Sequence, residues 1–315
     1  MSLTITTWNI QNFTRTDENY NEKLTFLVST IGRLNSDVIA LQEVLDENAL
    51  DDLANRLNFH ATIGNPDGRG NRVAFLTRNT PDQNDHIDQW RLPNGSQIRR
   101  FDNNGNIVID DEMPRPALQI TIQYRGKELN IITTHLKSKL LMYRGFFSTT
   151  DETIRAFTAY FALERRAAEA TTIREHISDL LDADRSVIVL GDFNDGSESA
   201  TTQIFYGPQG SQPMGPNDAT RSSGAFQRAD AKDSHRLFNI TKLVPENIRW
   251  TRKHNGQNEL LDHILVSEEM LPRSNGLRQV PSMSILNENV PNLIGSYPAS
   301  GAIIPDHAPV TAIFG

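Results

Sequence analysis

The chain has 315 residues, 37% of them hydrophobic and 22% charged, a globular balance that admits one large α/β unit. It contains no cysteine, which excludes disulfides and thiolate metal sites. A net charge of −8 and a pI near 5.5 exclude a broad basic clamp for nucleic acid, leaving local positive charge, or a bound cation, to meet any phosphate.

Met1 leads directly into a strand-like segment, Leu3 to Trp8, not into a charged and then apolar leader. No apolar run approaches the roughly 18 residues of a membrane span. The chain therefore reads as soluble, without stable membrane association or an obligatory protein partner, and cytoplasmic and secreted locations stay open. A helix is predicted over Glu22 to Asn35, a strand over Val38 to Gln42 and a second helix over Asn48 to Leu57. The glycine-rich stretch Asn65 to Asn71 reads as a loop before the strand Arg72 to Thr77, and Pro93 to Asn106 as another. Strands follow at Leu118 to Tyr124 and Leu129 to Thr134. The clearest helix is Thr153 to Leu181, where Phe157, Phe161, Ala168, Ile173 and Ile177 recur at helical spacing. Beyond it come the strand Ser186 to Leu190, a loop at Tyr206 to Ser223, the strand Leu260 to Val266, a loop at Val280 to Ile304 and the strand Pro309 to Phe314. With no internal repeat and no low-complexity linker, residues 1–315 read as one domain of class α/β.

Several of these apolar runs end in chemistry-bearing side chains. Trp8-Asn9-Ile10-Gln11-Asn12, Leu41-Gln42-Glu43-Val44 and Thr134-His135-Leu136-Lys137-Ser138 are three such junctions. Gly191-Asp192-Phe193-Asn194-Asp195, Leu261-Asp262-His263 and Pro305-Asp306-His307-Ala308 are the others. Strand ends hold side chains rigidly, so residues distant in sequence can converge on one metal ion and one phosphate. The oxygen donors of Asn9, Glu43, Asp192, Asn194 and Asp306 suit Mg²⁺, Mn²⁺ or Ca²⁺, whereas zinc would call for more imidazole or thiolate. His263 follows Asp262 directly and would face the opposite side of its strand. His60, His86, His176, His235 and His254 have no motif around them.

In order and character, the six junctions resemble those of the endonuclease/exonuclease/phosphatase superfamily, which includes deoxyribonuclease I, exonuclease III and neutral sphingomyelinase. Gly191-Asp192-Phe193-Asn194 and the terminal Pro305-Asp306-His307-Ala308-Pro309-Val310 carry most of that resemblance. It implies a four-layer α/β sandwich, two packed mixed sheets flanked by helices, with the site at one end. It also implies that Glu43 is the principal metal ligand, assisted by Asn9 and Asp306. Asp192 and Asn194 would position the attacking water and hold a phosphate oxygen. His307 would be the general base, oriented by Asp262, and His135 would protonate the leaving oxygen or stabilise charge on the phosphate. Arg115 and Lys137 would contact substrate.

The resemblance spans nucleases, phospholipid phosphodiesterases and inositol-phosphate phosphatases, which share a core and differ in loops. Thr134-His135-Leu136-Lys137-Ser138-Lys139 resembles the run in bacterial nucleases, and Arg69, Arg72, Arg99, Arg100, Lys137, Lys139 and Arg144 are candidate contacts to a nucleic-acid backbone. No apolar hairpin rich in aromatics is read from the sequence, which favours a DNA or RNA endonuclease using Mg²⁺ over a sphingomyelinase-like or small phosphate-ester hydrolase. A catalytically silent binding relative would have lost a member of the set His135, Asp192, Asn194, Asp262 and His307, and none is lost.

Overall fold

The computed structural model describes residues 2–87, 98–101, 107–110, 113–141, 143, 149–207, 235–274, 277–294 and 301–315. Twelve strands build two six-stranded sheets. The first contains β1 (Leu3–Phe13), β2 (Val38–Val44), β3 (His60–Ile63), β4 (Arg72–Thr77), β11 (Ser282–Ile285) and β12 (Val310–Phe314), in the order β11-β12-β1-β2-β4-β3. The second contains β5 (Gln83–Ile87), β6 (Ala117–Tyr124), β7 (Lys127–His135), β8 (Ser186–Asp192), β9 (Phe238–Asn239) and β10 (Asp262–Val266), in the order β9-β10-β8-β7-β6-β5.

Each sheet has one parallel pair at its heart, and the helix between its strands explains why. Parallel neighbours need a long crossover. Helix α1 (Tyr20–Leu34) joins β1 to β2, and α3 (Glu152–Asp182) lies between β7 and β8. The remaining pairs in both sheets are antiparallel.

Alternation along the strands separates the layers. On β1, Leu3 and Ile5 join Val38 and Ala40 of β2, Leu129 and Ile131 of β7, and Ile188 and Leu190 of β8 in an apolar seam between the sheets. The intervening Trp8, Ile10, Ile39 and Leu41 face outward onto Leu24, Leu27 and Ile31 of α1 and onto Leu50 and Leu53 of α2 (Glu47–Leu57). Val187 and Val189 face outward onto Ile173 and Ile177 of α3 and Phe205 of α4 (Ala200–Tyr206). The result is helices, sheet, sheet and helices, the mixed four-layer sandwich expected.

Two predicted loops contain strands. Ile98–Phe101, inside Pro93 to Asn106, pairs with Ile107–Asp110, and Val280 to Ile304 includes β11 and the two-residue strand Asn292–Leu293. Strands of two to four residues carry too few side chains for a period of two to register. Of Tyr206 to Ser223, only Tyr206, the end of α4, and Gly207 fall within the described residues. The Asn65 to Asn71 turn is held by Asp67, whose Oδ1 accepts from Arg69 N (2.8 Å) and Asn71 N (3.0 Å). Among the described residues no helix is long and apolar enough to cross a membrane.

Candidate active site

The two parallel pairs point their carboxyl ends the same way, and the inward face that carries the seam ends there in polar side chains. Thr7 and Asn9 continue the inward row of β1, and Gln42 that of β2. His135, Asp192 and Asp262 form one row across the second sheet, with Asp192 in register with both neighbours. Gly191 permits this row: a Cβ there would lie 1.9 Å from Thr134 O on the adjoining strand.

Glu43 would face the helices if β2 continued its alternation. It instead adopts a left-handed backbone (φ 62°) at a break in register, which turns its carboxylate toward the first row. Gln11, Asn12 and Asn194 share that conformation (φ 53°, 48° and 53°), uncommon outside glycine, so both sheets bend their strand ends at this place. Asn9 Nδ2 donates to Glu43 Oε1 and to Asp192 Oδ2, both at 3.0 Å, and so ties the two sheets together. The amide orientation is fixed because Asn9 Oδ1 accepts from Gln11 N at 3.0 Å. Asn9 thus presents its nitrogen, not its oxygen, to the carboxylates.

His307 sits just before β12, and its Nδ1 lies 2.7 Å from Asp262 Oδ2. Its Nε2 then faces the site, 3.9 Å from Asp192 Oδ2. His135 approaches from the opposite side, with Nε2 3.5 Å from Asp192 Oδ2 and 4.0 Å from Glu43 Oε1. The two imidazoles are driven apart electrostatically. Burial lowers the pKa of His307, but Asp262 and then Asp192 outweigh it and push it up to about 10. Burial, reinforced by Arg115, His307 and Lys137, holds His135 well below the ordinary imidazole value. Asp192 is pushed up to about 7, chiefly by burial, with His307 opposing and Asp262 adding to the rise.

Oxygen-rich donors surround the Glu43 end. Among the described residues Glu43 Oε2 accepts only Asn12 N (3.0 Å), which leaves carboxylate lone pairs for a cation. Asp306 is placed by its own N–H on Gln11 Oε1 (3.0 Å) and by Arg252 Nε, 3.7 Å from its Oδ2. Lys23, buried on α1, donates to Gln11 O; burial lowers its pKa while Asp17, Glu43 and Asp306 raise it. Glu43 and Asp306 offer the oxygen donors that a hard divalent cation takes. Asp192, Asp262 and His307 also offer ligand atoms within 4.8 Å of one another, but the short His307 to Asp262 contact uses one atom of each in a hydrogen bond.

Arg115 and Lys137 lie beside the site in buried positions. Arg115 Nη1 donates to the carbonyls of His135 (3.2 Å) and Leu136 (2.6 Å), and its Nε lies 3.5 Å from Asp67 Oδ2. Lys137 Nζ donates to Ser138 O (2.8 Å) and Leu140 O (3.0 Å); burial, then Arg115, lowers its pKa to about 7. Asn194 N caps Asp192 Oδ1 (2.8 Å) and its Nδ2 reaches Leu136 O (2.9 Å). Among the other basic residues, Lys139 pairs with Asp195 and Arg72 with Glu47, while Arg144 and the side chain of Arg100 lie outside the described residues. His263 faces away, with Nε2 donating to Asp195 O (2.9 Å) and Nδ1 accepting from Asn239 Nδ2 (3.1 Å).

Sequence reasoning passed over Trp8, Gln11 and Gln42 as functional residues. Trp8 Nε1 donates to His307 O (2.8 Å), and Gln42 Nε2 spans the seam between Thr7 Oγ1 (3.1 Å) and Thr133 Oγ1 (3.0 Å). The available signal was their position: each is a polar-tipped residue in or at the end of a buried strand.

The sequence profile of the endonuclease/exonuclease/phosphatase family matches residues 6–285, a span that ends before Asp306 and His307. No curated protein sequence matches the chain. The human nocturnin catalytic domain, solved with bound sulfate, is similar at 16% identity and TM-score 0.57, over 100% of this chain and 94% of that one. TDP2 from C. elegans is similar at 14% identity and TM-score 0.57, over 100% and 75%. D. rerio TDP2, in complex with a single-strand DNA product, is similar at 15% identity and TM-score 0.54, over 100% and 99%. At these identities the likeness concerns the fold. With a profile match over most of its length and this shared sandwich, the chain belongs to the endonuclease/exonuclease/phosphatase family.

Proposed function

We propose that the protein is a divalent-metal-dependent phosphodiesterase whose substrate is nucleic acid, DNA before RNA, cut internally. The observation that carries this reading is the His307 to Asp262 pair at 2.7 Å, with the free Nε2 turned toward Asp192 and His135 on the far side. A base, an orienting carboxylate and a second imidazole flank a space where a phosphate can sit. The DNA product in the D. rerio TDP2 complex lends support for nucleic acid as substrate.

Asp262 fixes the His307 tautomer, and in the Nε2-deprotonated form, favoured by rising pH or by a cation that offsets the nearby carboxylates, Nε2 takes the proton of the attacking water. Asp192, held by Asn9 and Asn194, orients that water for in-line attack, and the P–O bond to the leaving oxygen breaks with its electron pair passing to that oxygen, which takes a proton from solvent. His135, neutral because it is buried, donates a hydrogen bond to phosphate oxygen without adding a second cation. Arg115 and Lys137 set the path of the strand end that carries His135 and offer positive charge to the substrate backbone. A Mg²⁺ or Mn²⁺ ion at Glu43 and Asp306 would draw charge from the scissile phosphate and offset the carboxylate field around His307.

The test is cleavage of supercoiled plasmid, single-stranded DNA and RNA with Mg²⁺, Mn²⁺ or Ca²⁺, alongside chelator and His307→Ala controls. Chelator-sensitive cutting that falls roughly 10²- to 10⁴-fold in the variant supports the reading; cutting unchanged in the variant sinks it.

One observation favours a second reading. The hairpin Ile98–Phe101/Ile107–Asp110 exposes Ile107 (57%) and Ile109 (56%) and packs on α3, which exposes Phe157 (58%) and Tyr160 (43%). That apolar surface, not anticipated from the sequence, suits a lipid boundary. Hydrolysis of sphingomyelin or phosphatidylcholine vesicles in the absence of any nuclease activity would select it.

A further inference from the structure

Asp262 and His307 lie 45 positions apart, and one fully buried residue touches the supports of both. Thr251 Oγ1 accepts from Leu261 N (3.1 Å) and Asp262 N (3.3 Å), while its carbonyl accepts from Ala308 N (2.7 Å). Its own N–H is anchored on Glu259 O (2.8 Å), and the next residue, Arg252, forms a bridge with His307. Trp8 Nε1 secures the His307 carbonyl from the other side.

We infer that Thr251 is a positioning residue that sets the Asp262 to His307 distance, an inference that rests on the reading of that pair as base and orienter. The hydroxyl is what matters. The Thr251 backbone would hold the His307 segment with any side chain, but only an oxygen at the γ position can fix the Asp262 backbone. Valine has nearly the shape of threonine and no acceptor, so Thr251→Val leaves two buried N–H groups unpaired and frees Asp262 to move away from His307. Serine keeps the acceptor. A displacement of this kind costs turnover rather than binding, because the pair acts on the attacking water and not on the resting substrate.

The experiment uses the full chain as wild type, Thr251→Val, Thr251→Ser and His307→Ala. Turnover of bis(4-nitrophenyl) phosphate with Mn²⁺ is followed, together with the downfield proton resonance of His307 Nδ1–H in the metal-free protein, assigned by its loss in His307→Ala. Expected in Thr251→Val are a kcat lower by roughly 10- to 100-fold at nearly unchanged KM and loss or upfield movement of the resonance, both restored in Thr251→Ser. Any other pattern overturns the inference, including a lower kcat with the resonance unmoved. Should Thr251→Val fail to fold, Thr251→Ala carries the same test. Wild-type turnover in His307→Ala would sink the reading of the pair as the base instead, and the resonance would then decide for Thr251 alone.

Discussion

Asp192 and Asp262 stand directly opposite each other on β8 and β10, two buried carboxylates facing the same space with His307 between their oxygens. Burial and Asp262 raise Asp192 to about 7, so between pH 3.8 and 7 the folded chain holds a proton that the unfolded chain has lost. Stability from this group therefore falls as pH rises through that window. His307, raised to about 10, contributes stability that is complete below pH 6.5 and lost as pH rises through about 10. Lys137, lowered to about 7, and His135, lowered by burial, slope the other way, so the contribution of Asp192 is read as a difference between two proteins. In chelator, the melting temperature of the wild type relative to Asp192→Asn should fall between pH 4 and pH 7; a difference that does not vary with pH would contradict the assignment.

A cation that binds the folded chain alone stabilises it, so saturating Mg²⁺ should raise the melting temperature by a few degrees, and Glu43→Gln should abolish the gain. An equal rise in Glu43→Gln would argue that the ion binds elsewhere.

Gln11 joins the parts of the Glu43 end: its N–H binds Asn9 Oδ1, its Oε1 binds Asp306 N, and its carbonyl receives Lys23 Nζ. Gln11→Leu removes only the Oε1 link to Asp306. Mn²⁺ affinity, read by titration calorimetry, should weaken about tenfold while the fold persists, as with other supports of a ligand. Unchanged affinity would remove Asp306 from the metal site.

Gly191→Ala should fail for a different reason. The added carbon would meet Thr134 O on the parallel partner strand at 1.9 Å, and the left-handed φ of 143° adds strain. A loss of about 3 kcal/mol or more is expected in denaturant unfolding. Wild-type stability would mean that β7 and β8 part easily, which their buried flanks oppose.

The site was legible in the sequence where a buried strand begins or ends in a polar group. Asn9, Glu43, His135, Asp192, Asp262 and His307 all fall into that pattern, and all meet within one end of the sandwich. His263 also faces away as alternation requires. The direction in which Glu43 points was not legible, because it depends on a left-handed backbone that a glutamate seldom adopts. Nor was Thr251, whose importance lies in contacts with residues 10, 11 and 57 positions away. The short strands and the Ile107 hairpin escaped because period-two patterning needs more residues than they contain.

Gln42 has a consequence for how the molecule tolerates change. It spans the seam beside Asn9, whose amide reaches Asp192 in the other sheet, so the gap between the sheets is also a dimension of the reaction centre. Slimming a side chain deep in the seam, such as Ile131 or Leu190, lets the sheets settle closer together far from any reacting atom. The interior is in this sense the ruler of the site, and turnover should track seam volume even among variants whose polar residues are untouched.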